Sequence, residues 1–125
     1  MATTLAAGSK YDLVMVQGAT FEKAFEWKDA TKVAINLTGY TARLQIRSDT
    51  DSSTTLLELT TENGRITLND PTAGVIQLYV SAADTAALTF NTGVYDLELQ
   101  HIASGRTIVD NIVYGNVSLR KNVTR

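Results

Sequence analysis

The chain has no cysteine, a single proline, a single histidine and a single tryptophan in 125 residues. Without cysteine there is no disulfide framework and no thiolate nucleophile or metal ligand, so stability must come from packing. Any histidine-based metal site or catalytic triad would have to rest on His101, which stands at the end of a strand-like run beside a turn and reads as a surface residue. Positive charge is also scarce: 11 Lys and Arg against 13 Asp and Glu leave a net charge of −2. That balance lacks the clustered basic footprint that direct nucleic-acid binding or an anionic membrane requires. Nothing approaches the roughly 18 consecutive apolar residues of a membrane span. The first ten residues have no charged region followed by a long apolar stretch, so a soluble chain without a secretory signal, made in a cytoplasm, is expected. Three Asn-x-Ser/Thr triplets, at Asn36, Asn116 and Asn122, read as chance in a Thr-rich chain.

What is present is alternation. In Gly93-Val-Tyr-Asp-Leu-Glu-Leu-Gln100, Tyr95, Leu97 and Leu99 share one parity while Asp96, Glu98 and Gln100 share the other. Period-two patterning places side chains on opposite faces of a pleated strand, one buried and one wet. Thr41–Arg47 repeats the pattern with Ala42, Leu44 and Ile46 inward and Arg43, Gln45 and Arg47 outward. Further strands are predicted at 11–17, 20–27, 33–37, 56–60, 66–68, 74–80, 106–114 and 117–123. In the second of these Phe21, Phe25 and Trp27 share a face, and such aromatics bury about 150–250 Å² each. Lys23 shares that face too, which predicts a snorkelling side chain at a sheet edge or a local bulge. Asn63-Gly64 is the pair that two-residue hairpin turns favour. The only proline, Pro71, falls where a strand has ended. Ser81–Leu88 alone has helical character, with Ser81 as N-cap and Asp84 in the first turn.

Short strands with turn signals every 8–12 residues or so predict an all-β fold, an antiparallel β-sandwich of immunoglobulin-like or Greek-key architecture, with one helical turn near residues 81–88. A barrel is the alternative. The length suits a single domain over residues 11–125, preceded by a flexible arm at 1–10 that orders against a partner. Ser48–Thr54 is the most polar stretch and reads as a mobile exposed loop.

No catalytic, metal or nucleotide motif interrupts the strands. Asp96 and Glu98 lie about 7 Å apart on one strand face, as alternate strand residues must, so their spacing carries no sign of two-carboxylate hydrolysis. Asp49 and Asp51 lack the following glycine and closing glutamate of a calcium loop. The glycines stand singly at strand ends and make no phosphate cradle. No Gly-x-Ser-x-Gly elbow is present. The expectation is a non-enzyme with no cofactor and no metal. Arg43 and Arg47 project from one strand face and can pair with outward carboxylates or meet a neighbouring subunit.

Several stretches occur together in a telling order: Tyr11-Asp-Leu-Val-Met-Val-Gln-Gly-Ala-Thr-Phe21, Trp27, Asn36-Leu-Thr-Gly-Tyr-Thr-Ala-Arg43, Gly64-Arg-Ile-Thr67, Gly74-Val-Ile-Gln-Leu78, Val94-Tyr-Asp-Leu-Glu98, Gly115-Asn-Val-Ser-Leu119 and Val123-Thr-Arg125. In that order the chain resembles small β-sandwich structural proteins of tailed bacteriophages, including domains similar to the N-terminal part of baseplate upper proteins. The resemblance implies a virion component, assembled in the host bacterial cytoplasm, that forms a homo-oligomer and bridges other virion proteins of the capsid, tail, baseplate or fibre. A baseplate, neck or tail-fibre adaptor is the first expectation. A head decoration protein, or a module binding a host-surface carbohydrate or protein through loops such as Ser48–Thr54, is the alternative. Contacts are expected at Thr3, Thr4 and Leu5 in the leading segment, at Arg43 and Arg47, and at Arg125.

Overall fold

In a computed structural model, which describes residues 3–68 and 70–124, the chain folds as two sheets closed against each other. The first sheet contains β1 (Thr3–Leu5), β4 (Phe21–Trp27), β8 (Val75–Val80) and β7 (Ile66–Thr67), side by side in that order. The second runs β2 (Ser9–Lys10), β10 (Arg106–Arg120), β9 (Thr92–Ala103), β5 (Thr41–Arg47) and β6 (Thr55–Thr60), with β3 (Leu13–Val16) continuing along the edge of β10 beyond β2. The inward residues of both sheets make one apolar cluster. Phe25, Ile76, Leu78 and Val80 from the first sheet meet Leu44, Ile46, Leu97, Leu99, Val113 and Val117 from the second. This is the β-sandwich that the alternation predicts, because each strand has one apolar face that must leave water.

Three of the pairings are parallel, which departs from the antiparallel expectation. β1 runs parallel to β4, and β2 and β3 run parallel to β10. The leading segment visits one sheet at β1, the other at β2 and β3, and returns at β4, so its partners are not its hairpin neighbours. Only a hairpin obliges consecutive strands to be antiparallel. The same wrapping gives part of the leading segment partners within the chain. Leu5 is only 4% exposed and belongs to the core, and Thr3–Leu5 pairs residue for residue with Phe25–Trp27.

Other differences are local. Asn63-Gly64 does not close a hairpin, since β6 pairs with β5 while β7 pairs with β8 in the opposite sheet. Here the Asn63 carboxamide takes over the turn: its oxygen accepts from Thr60 N and Arg65 N, both at 3.0 Å. Residues 33–37 form no strand beyond a single bridge between Lys28 and Ala34. Asp29 Oδ1 accepts from Val33 N and Asn36 Oδ1 from Thr38 N, so local side-chain bonds replace a ladder. The predicted strands at 106–114 and 117–123 are one strand, β10, with a bulge that turns both Ile112 and Val113 inward.

The helical turn is present as α1 (Ala82–Ala86), and Ser81 Oγ accepts from Asp84 N at 3.2 Å. Thr85, buried on α1, donates to Ala19 O at 2.8 Å and accepts from Gly18 N at 3.0 Å, tying the turn to the loop before β4. No helix among the described residues is long and apolar enough to cross a membrane.

Candidate functional site

The outward face of the second sheet gathers polar side chains around one depression. Alternation along β5 puts Arg43, Gln45 and Arg47 outward, and the register places Arg43 opposite Glu98 and Gln45 opposite Asp96 on β9. On the far side of β9, Glu98 faces Asn111 and Asp96 faces Tyr114 of β10. Three adjacent strands thus present their wet faces side by side, lining a groove of about 590 Å³.

Within the groove the polar groups are mutually engaged. Arg43 Nη2 pairs with Glu98 Oε1 at 3.2 Å, and Asn111 Nδ2 donates to Asp96 Oδ2 at 2.9 Å. Arg47 donates to Gln45 Oε1 at 2.7 Å and to Ser52 O at 3.0 Å, fastening the Ser48–Thr54 loop to the strand. Gln45 Nε2 in turn donates to Glu58 Oε2 at 2.6 Å. Charge is balanced along the lining, with Lys10, Arg43 and Arg47 set against Asp49, Asp96 and Glu98. Tyr114, 46% exposed, supplies an open aromatic face beside them. Such a surface offers many donors and acceptors to another polar surface.

A second cluster lies where the leading segment crosses between the sheets. Lys23 Nζ donates to Thr3 Oγ1 at 2.6 Å and to Tyr11 Oη at 2.8 Å, and stands 4.5 Å from the centre of the Tyr11 ring. The predicted misfit of Lys23 is thereby resolved: its head is held by two hydroxyls and an aromatic face instead of a carboxylate. Its hydrogen bond, with a further one from Thr3, lowers the Tyr11 phenol below the ordinary tyrosine value. Close by, Tyr95 donates its hydroxyl to Tyr11 O, and burial raises the Tyr95 phenol well above that value.

Of the residues singled out in the sequence, Arg43 and Arg47 come together on the groove. Thr3 is engaged by Lys23, Thr4 is exposed, and Leu5 packs inside its own chain. Arg125 lies outside the described residues. His101 stacks on Tyr40 with ring centres 4.3 Å apart, and its Nδ1 is buried without a hydrogen-bond partner among the described residues. Lys10, Asn111, Tyr114 and Asn116 were not singled out as site residues. The outward parity of Tyr114 and Asn116 and the pairing of residues 106–114 with 93–101 through the Ala103-Ser-Gly105 turn were legible, but that β5 would lie on the other side of β9 was not.

The fold resembles that of a phage domain. The N-terminal domain of phage TP901-1 ORF48 superposes with a TM-score of 0.57 at 12% sequence identity, over 94% of this chain and 95% of that one. No protein-family model and no curated protein matches the chain.

Proposed function

We propose that the chain is a structural component of a bacteriophage virion, a baseplate, neck or tail-fibre adaptor that works by assembling with other virion proteins and with copies of itself. The carrying observation is the likeness to the phage ORF48 domain, which extends over nearly the full length of both chains. Fold likeness alone is a warrant by analogy. The surface supports it, since an exposed polar groove and open strand edges are means of docking, through side chains in the one case and main-chain hydrogen bonds in the other. On this reading Thr4, Arg43 and Arg47 are contact residues and no catalytic step is involved.

Purified, washed particles of the phage that encodes the chain test the proposal by quantitative mass spectrometry. The expected result is a constant copy number per particle, a multiple set by a rotational symmetry of the assembly. Absence from washed particles overturns it. A second reading, binding of a host-surface carbohydrate or protein, is favoured by the groove itself, whose volume falls in the range of small-ligand sites. A chain absent from particles that retains glycans in solution would sustain that reading instead.

A further inference from the structure

β9 and β10 extend beyond the sheet that contains them. β5 accompanies β9 only as far as the pairing of Thr41 with Gln100, and β2 and β3 meet β10 only from Val113 onward. Past those limits the two strands continue alone to the turn at Ser104-Gly105, both in positive φ. The outer edge of β10 from Arg106 to Ile112 therefore has no strand partner among the described residues. On this ribbon Ile102 is 76% exposed and Val109 51%, with Ile108 partly exposed as well. A lone two-stranded ribbon is marginal in water, and an open apolar edge is a template for another strand.

We propose that this edge pairs with the same edge of a second copy of the chain, antiparallel, about a two-fold axis through Ile108. The charge pattern selects both the occupant and the register. With Ile108 opposite itself, Arg106 falls opposite the partner's Asp110, and Asp110 opposite the partner's Arg106. Thr107 then meets the partner's Val109. Moving the axis to Thr107 or Val109 leaves neither charge opposite its complement. Neither Arg106 nor Asp110 has an ion-pair partner within its own chain among the described residues. Two-fold symmetry makes every contact off the axis occur twice, so the Arg106–Asp110 and Thr107–Val109 pairs each count double. The product is a continuous four-stranded ribbon, β9-β10-β10-β9, in which Ile108 meets its own copy on one face and Val109 meets the partner's Thr107 on the other.

The pairing deepens the assembly reading and rests on it only for a place in a particle. Sedimentation equilibrium of the full chain tests it across a micromolar range. The wild type is expected to be a reversible dimer. Arg106→Asp and Asp110→Arg, each of which sets like charges face to face twice, are expected to weaken the dimer by roughly tenfold to a hundredfold. The double variant Arg106→Asp with Asp110→Arg restores complementarity and is expected to recover most of the lost affinity. Circular dichroism of all three variants should match the wild type, because these side chains lie outside the core. A wild type that stays monomeric, single reversals that dimerise normally, or a double variant that fails to recover would each overturn the pairing. A monomer still found at constant copy number in virions would overturn it while leaving the virion proposal standing.

Discussion

Tyr95 ties β9 to the segment between β2 and β3, within the second sheet, through one hydroxyl: its ring is in the core, and its O–H donates to Tyr11 O. Burial, reinforced by the nearby Asp12 and Tyr11, raises its phenol above the ordinary value of 10.0, and burial also raises Tyr40. Below pH 10 the Tyr95 and Tyr40 phenols are protonated in folded and unfolded chains alike, so their contribution to stability is fully present. As pH rises past the unfolded value, the unfolded phenols ionise first and stability falls. Urea midpoints should therefore decline above about pH 10, and Tyr95→Phe should flatten that decline while costing about 1–2 kcal/mol at neutral pH through the orphaned Tyr11 carbonyl. A decline of equal steepness in the variant would remove Tyr95 as its source. Gly115 makes a different demand. A Cβ there would run into the Tyr11 carbonyl and the Asp12 carboxylate, so Gly115→Ala should destabilise by about 1–3 kcal/mol in the same assay. This glycine lets the β2–β3 segment lie against β10, which its place in the middle of an apparent strand break did not reveal.

Among the elements, β1 has a structural duty out of proportion to its three residues. Its Leu5 fills the core beside Trp27, and its Thr3 hydroxyl receives Lys23. Removing residues 1–5 is expected to lower stability by about 3 kcal/mol, the scale of deleting one buried leucine. An unchanged unfolding midpoint would restore these residues to the status of a loose arm. The segment escaped recognition because three residues cannot display a period, and a single leucine among Thr, Ala and Gly carries little hydrophobic signal. β5 shows the opposite case: Thr41–Arg47 matches its expected limits because seven strictly alternating residues leave no other register. Asn63-Gly64 lies between these extremes. Its turn chemistry was legible, but whether the chain then doubled back or crossed to the other sheet depended on where Ile66 could be buried.

Across the whole molecule, stability should be graded from the centre of the second sheet outward. Leu97 and Leu99 are fully buried and flanked by strands on both sides, whereas residues 101–108 extend past every other strand. In hydrogen exchange, amides of β9 near Leu97 should open only with global unfolding, and those of the ribbon should exchange by local opening. If two ribbons pair, protection along Thr107–Asn111 should grow with protein concentration while protection at Leu97 does not. The sequence by itself determined the secondary structure of the long alternating strands, their inward faces, the capped turn at Ser81, and the two arginines that reach one polar surface. Those features are local, since side-chain parity along a strand follows from the pleat alone. Tertiary structure alone decided which sheet each strand joins, the parallel course of β1, β2 and β3, the single run of β10 past Gly115, and the groove where Arg43 and Arg47 meet Asp96 and Asn111. Those depend on contacts between residues far apart in the chain, and alternation says which face of a strand is buried but not what lies against its edge.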